Sequence, residues 1–290
     1  MLNVRPALLL MACLSAFAQD TRVILLGTGT PNPEPDRMGP SVAIVSGSHA
    51  YIVDCGPGVV RRAAQAGIKM EQITRLFVTH LHSDHTAGLP DLILTPAITG
   101  RREALELYGP PGLKAMTTHV LQAWKEDMQI RIHGLEPSVP GAYVVHAHEV
   151  KPGEIYRDEA MRVIAFAVPH GSWKYAFGYR FEAADKTIVI SGDTTYSSAL
   201  IAAAKGCDIL IHEVYSAKGF TNRTPEWQTY HKAFDTPGPD VGRVATAVGA
   251  REVVLYHQLP MGQTPEEVLD EIRSTYTGKV SWGNDLDVIR

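Results

Sequence analysis

The chain has 290 residues, 45% of them hydrophobic and 20% charged, the composition of an ordinary globular protein with a substantial core. Its 27 Lys+Arg against 31 Asp+Glu leave a formal net charge of −4. No long-range positive field therefore gathers nucleic acid or anionic membrane, and only a local basic pocket stays open.

The first residues differ from the rest. Arg5 supplies a positive start, residues 7–17 are almost entirely apolar, and Ala16-Phe17-Ala18 has the small-x-small form of a signal-peptidase site. Residues 1–18 thus read as a signal peptide and the mature chain as exported, periplasmic or secreted. The stretch is shorter than the roughly 20 residues that a bilayer span needs. A buried N-terminal strand or helix is the competing reading, and the polar break at Gln19-Asp20-Thr21-Arg22 speaks against it. Leu10-Met11-Ala12-Cys13 also loosely resembles a lipoprotein box, with an atypical Met, in which Cys13 would carry the lipid. After cleavage only Cys55 and Cys207 remain. Nothing places them together, so buried free thiols are expected rather than a disulfide framework.

No repeat, low-complexity tract or linker interrupts residues 19–290, which read as one domain. Strand-like runs at 22–27, 42–45 and 51–53 alternate with Gly/Pro-rich turns and predict an antiparallel opening sheet. A helix over 59–66 follows Gly56-Pro57-Gly58, and a longer amphipathic one over 113–128 follows Gly109-Pro110-Pro111-Gly112. The second half predicts strands at 161–168, 177–182, 187–191 and 208–211, a helix at 241–248, a strand at 253–256 and a helix at 265–276. Two mixed sheets, each covered by helices, would hide both faces of such runs. The expected fold is α/β, a four-layered αβ/βα sandwich.

Chemistry concentrates between Leu76 and Leu89, where an apolar strand runs into His80, His82, Asp84 and His85 in the order H-x-H-x-D-H. Neutral imidazole and carboxylate are the ligands that Zn²⁺ and related ions prefer, and four of them this close hardly serve a core. On a continuing strand His80, His82 and Asp84 would share one face. A turn ahead of a helix near Gly88 would let His85 swing to a second ion. A solvated His-rich loop is the bland alternative.

That string resembles the signature of the metallo-β-lactamase superfamily, and the resemblance covers the whole mature chain. Leu26 to Pro31 and Val53 to Gly58 look like its opening strand-turn and first acidic motif. The nearest likeness is to the tRNase Z and arylsulfatase group; Arg37 to Ser41, Leu89 to Leu92 and Tyr108 to Gly112 look like the arylsulfatase-like branch. The resemblance implies that His170 completes a first site with His80, His82 and Asp193, with His146 and His148 as rivals for its place. Asp193, in Ser191-Gly192-Asp193-Thr194, would bridge to a second site of Asp84, His85 and His257. Taken alone, Asp193 would read as a capped turn and His257 as structural. Two divalent ions, Zn²⁺ first and Mn²⁺ or Fe²⁺ as alternatives, would activate a shared water and polarise an ester.

The same likeness makes Asp84, Glu213 and His231 the catalytic residues, with His231 oriented by Glu213 to contact the non-bridging oxygens or protonate the leaving group. A structural His–Glu pair is the alternative. Asp54 is expected to bond a ligand histidine and Thr194 to orient Asp193, while Trp173, Tyr179, Arg180 and Tyr196 are cleft candidates. The leading functional expectation is an arylsulfatase-like hydrolase of small sulfate or phosphate esters. The leader, the negative net charge and the mere 22 residues between His170 and Asp193, too few for a tRNA-gripping arm, all argue against nucleic acid. A tRNase Z-like endonuclease or other phosphodiesterase is the alternative enzyme, and a non-catalytic metal-binding or ligand-binding protein the alternative class. Oligomeric state stays open, a homodimer included.

Overall fold

The computed structural model describes residues 20–290, so the leader-like segment 1–18 and Cys13 lie outside the described residues. The chain opens as an antiparallel meander of β1 (Arg22–Gly27), β2 (Ser41–Ser46) and β3 (His49–Val53). It then alternates helices with parallel strands: α1 (Val59–Gln65), β4 (Ile73–Phe77), α2 (Ser83–Thr86), α3 (Leu89–Thr99), β5 (Leu105–Gly109), α4 (Leu113–Ala123), α5 (Lys125–His133) and β6 (Val145–Glu149).

The second half repeats the scheme. β7 (Gly153–Arg157), β8 (Met161–Ala167), β9 (Phe177–Ala183) and β10 (Thr187–Ile190) are antiparallel neighbours. After them come α6 (Ser198–Ala204), β11 (Ile209–Tyr215), α7 (Ala217–Phe220), α8 (Pro225–Phe234), α9 (Gly238–Val248), β12 (Glu252–Leu259), α10 (Pro265–Arg273) and β13 (Lys279–Trp282), with β10 to β13 parallel. β14 (Val288–Ile289) returns to pair with β1. Among the described residues each sheet has seven strands, in the orders β14-β1-β2-β3-β4-β5-β6 and β13-β12-β11-β10-β9-β8-β7.

Strand periodicity explains the layering. In β1, Val23 and Leu25 enter the core between the sheets with Phe77, Phe181, Ile190 and Tyr256, while Ile24 and Leu26 face the helices. Outer cores form where α1 and α3 cover the first sheet and where α6, α9 and α10 cover the second. This is the αβ/βα sandwich expected, one that buries both faces of both sheets. Cys55 and Cys207 are buried free thiols in the two different outer cores.

Some expectations fail locally. The single helix over 113–128 breaks at Trp124 (φ −103°, ψ 13°) into α4 and α5. α5 buries no side chain fully; Met128 and Ile132 pack, partly buried, against the outer core of the first sheet. β11 runs to Tyr215 instead of stopping at Ile211, which puts His212 and Glu213 within a buried strand. α8 was not foreseen at all.

Candidate metal centre and active site

The proposed ligands sit at one edge of the sandwich, just past β4, β8 and β10 and within β12. β4 delivers the segment 78–82, and the chain turns into α2 at Ser83, so Asp84 and His85 occupy a helical turn rather than a continuing strand. Past β10, Gly192 at φ +63° makes the sharp entry to Asp193, and a Cβ there would meet the Phe177 carbonyl oxygen at 2.6 Å. His257 sits at a register shift in β12, at φ +46°. Asp54, just beyond β3, is likewise left-handed at φ +57°. Such non-glycine strain collects at functional sites, where the surroundings over-determine the backbone.

The seven residues converge in two groups. In the first, His82 Nδ1 lies 2.9 Å from His80 Nε2 and 3.2 Å from His170 Nε2, with Asp193 beside them. In the second, His257 Nε2 is 3.2 Å and His85 Nε2 3.6 Å from Asp84 Oδ2. Asp193 Oδ2 faces both, at 3.3 Å from His85, 3.5 Å from His257 and 3.8 Å from His80.

Other side chains hold these rings in place. Asp54 accepts from Thr79 N (2.7 Å), Thr79 Oγ1 (2.8 Å) and His85 Nδ1 (2.8 Å). Thr79 Oγ1 also meets His80 Nδ1 at 3.0 Å, and His170 Nδ1 donates to the Phe234 carbonyl at 2.8 Å. With Nδ1 so engaged in His80, His85 and His170, each Nε2 is turned to the site. Asp54 therefore does the orienting expected of it. The Thr194 hydroxyl does not, because it turns to the Thr195 carbonyl at 2.8 Å.

The electrostatics suit a cation. Burial alone would raise the Asp193 carboxyl, but the His257 and His85 imidazoles hold it well below its ordinary range. Burial, with His85 beside it, pushes His80 well below the usual histidine range, which keeps the ring neutral. Burial would lower His85 too, yet Asp193, Asp84 and Asp54 around it raise it well above that range. Asp193 Oδ1 and His85 Nε2 are buried without a hydrogen-bond partner. A buried carboxylate oxygen left unsatisfied is costly unless a positive charge joins it, and three carboxylates draw positive charge to the place that His85 Nε2 faces, so the donor set fits divalent ions of the zinc kind.

The second histidine arrangement differs from expectation. Glu213 does not reach His231; His231 Nδ1 is held by Asp235 at 2.7 Å, four residues on at the end of α8. Glu213 instead accepts from Thr236 N at 2.9 Å, fixing the turn that carries Asp235. Burial, and then Asp235 and Asp193 nearby, push the Glu213 carboxyl well above its ordinary range. It therefore positions a turn rather than His231. Asp235 was missed although its i+4 spacing from His231 was on view; without α8 recognised, that spacing meant nothing.

Of the remaining candidates, the rivals His146 and His148 lie on the exposed edge strand β6 and each meet Glu106 of β5 at 2.7 Å, with His148 also stacked on Tyr108, away from both ligand groups. Trp173 reaches the site, its indole N–H meeting His82 Nε2 at 2.7 Å. Tyr179 is fully buried and donates to the Val78 carbonyl, Arg180 turns to Glu182, and Tyr196 is exposed. Beside the two groups opens a cleft of about 410 Å³ lined in part by Asn32, Arg223, Trp227, Tyr230, His231 and Asp235.

A family model described as a beta-lactamase superfamily domain matches residues 49–258. Ribonuclease Z of Mycobacterium bovis (strain BCG / Pasteur 1173P2) is 31% identical over 275 residues, covering 91% of this chain and 96% of that protein. Ribonuclease Z of Mycobacterium sp. (strain KMS) is 35% identical over 273 residues, covering 91% and 94%. Among solved structures, the metallo-beta-lactamase fold protein YhfI from Bacillus subtilis superposes with a TM-score of 0.72 at 18% identity, over 93% of this chain and 99% of that one. The short form of human tRNase Z gives a TM-score of 0.70 at 22% identity, over 93% and 98%. These two establish likeness of fold alone.

The relatives overturn two expectations: the arylsulfatase-like activity on small esters and the argument against nucleic acid. The His80–His85 string serves the whole superfamily and cannot choose a branch. A net charge averaged over the chain says little about one cleft, here one with Arg223 at its wall. The chain belongs to the beta-lactamase superfamily, within its ribonuclease Z group, and is a metal-dependent hydrolase acting on ester bonds.

Proposed function

We propose that this chain cleaves RNA phosphodiester bonds as a 3′-tRNA-processing type of endonuclease, with two divalent ions, zinc foremost. The observation that carries the reading is the pair of ligand groups sharing Asp193, in a chain that is 31% and 35% identical to two ribonucleases Z along 91% of its length. His80, His82, His170 and Asp193 would hold one ion, and Asp84, His85 and His257, with Asp193, the other. Ions held there supply Lewis-acid polarisation of a phosphoryl oxygen and charge to activate water.

The chain's own residues do the rest. Asp54, Thr79 and the Phe234 carbonyl keep three rings aimed inward. Asp235 fixes the Nδ1 proton of His231 at the cleft wall, leaving Nε2 to exchange a proton with the leaving oxygen. β9 and β10 occupy most of the stretch between His170 and Asp193, so no arm is inserted there and the grip on RNA falls to the cleft walls.

The test is hydrolysis by purified, metal-loaded protein of a 3′-extended tRNA precursor and of bis(p-nitrophenyl) phosphate, with and without chelator. The expected result is a single cut beyond the acceptor stem, abolished by chelator and restored by Zn²⁺ or Mn²⁺. Cleavage of the small diester without the RNA would refute the substrate; cleavage of neither, with both ions bound, would refute the hydrolase.

A further inference from the structure

α8 carries Trp227, Tyr230, His231 and Phe234 at i, i+3, i+4 and i+7, one face of a helix. That face is not closed into a core: Trp227 is 47% and Tyr230 36% exposed, beside the cleft that also holds Asp84, Asp193 and His257. The rings form a ladder leading out from the metal ligands. Phe234 lies 4.9 Å from His170 and 6.2 Å from His82, Tyr230 stacks on Phe234 at 4.2 Å and 12°, and Trp227 meets Tyr230 edge to face at 5.5 Å and 80°. The Arg223 guanidinium sits 5.5 Å above the Trp227 ring, at the same wall.

Exposed aromatic rings with a cation beside them match an unpaired nucleotide: one ring takes the base face, its perpendicular neighbour flanks the base, and the guanidinium takes the phosphate. A cleft of about 410 Å³ suits one such unit rather than a duplex. We infer that α8 is a stacking platform on which Trp227 and Tyr230 hold one unpaired nucleobase flanking the scissile phosphodiester, with Arg223 on the adjacent phosphate. This rests on the phosphodiesterase reading above and adds that the site prefers single-stranded substrate and tolerates any base, since every base has a π-face.

The experiment measures binding by fluorescence anisotropy, on metal-loaded protein, of two short labelled oligoribonucleotides with a methylphosphonate at the scissile position. One carries a base on the flanking nucleotide and the other is abasic there. The unmodified protein is expected to prefer the base-bearing strand by about 5- to 150-fold, the range that stacking of one base gives. In Trp227→Leu that ratio collapses to near one, while Trp227→Phe keeps most of it. Equal affinity for both strands in the unmodified protein overturns the platform without any variant, as does a ratio unchanged in Trp227→Leu. A base preference without cleavage of any diester would remove the phosphodiesterase reading and keep the platform; cleavage without base preference would do the reverse.

Discussion

Asp54→Asn perturbs the metal centre without touching a ligand. The carboxylate accepts three bonds, two from Thr79 and one from His85 Nδ1, and sits at φ +57°, a conformation that Asn tolerates. The fold of the loop should therefore persist. An amide has one acceptor oxygen; turned towards Thr79, it presents its NH₂ to His85 Nδ1, donor against donor. His85 must then break the bond or carry its proton on Nε2, the atom that faces Asp84 and Asp193. Loss of such a partner weakens metal binding by about 10- to 100-fold, roughly 1.4–2.7 kcal/mol. A buried donor left unsatisfied costs about 1–3 kcal/mol of fold stability as well. Competition against a chromophoric chelator resolves the two ions, and urea unfolding with chelator reads the stability. The weakened ion should be the one at Asp84, His85 and His257, because His170 keeps its Phe234 carbonyl. Wild-type affinity for both ions in Asp54→Asn would refute the reasoning.

Three further outcomes are expected. His231→Gln should lower kcat on RNA by about 100-fold or more and change turnover of bis(p-nitrophenyl) phosphate little, because a nitrophenolate leaves without a proton; equal losses on both would remove the acid role, and Asp235→Asn should follow the same pattern more weakly. Burial holds His212 at about 4, so the unfolded chain takes up a proton near pH 6.5 that the folded chain refuses until about 4. Stability is thus complete above pH 6.5 and falls as pH drops towards 4, by up to about 3 kcal/mol from this residue, a slope that urea titrations of His212→Asn should lack; a parallel pH profile would contradict it. Finally, N-terminal sequencing of the chain recovered from fractionated cells should show Gln19 first and a location outside the cytoplasm. An intact Met1 in the cytoplasm would overturn the leader.

Much of this was legible before any coordinates. Strands such as β1 and β12 announce themselves by apolar runs between turn residues, and His80 to His85 by a ligand density that no core requires. His170, Asp193 and His257 were reachable only through the family likeness, since a single histidine or aspartate past a strand has no local signature. What stayed hidden depends on tertiary contact. α8 is amphipathic around polar and aromatic residues, not aliphatic ones, so its periodicity did not stand out and Asp235 was lost with it. The partner of His231 is fixed by α8 geometry and is Asp235, not Glu213. The preference for small esters failed because it came from bulk charge and from a missing arm, neither of which describes a cleft.

The central claim is that seven side chains hold two ions through a shared Asp193. Elemental mass spectrometry of the desalted wild-type protein and of Asp193→Ala, with X-ray absorption at the metal edge, tests it most directly. The account predicts two ions per wild-type chain, roughly 3.5–4 Å apart, and the loss of at least one with the metal–metal signal in Asp193→Ala. A single ion per wild-type chain, or two that survive the loss of Asp193 at unchanged separation, would contradict it.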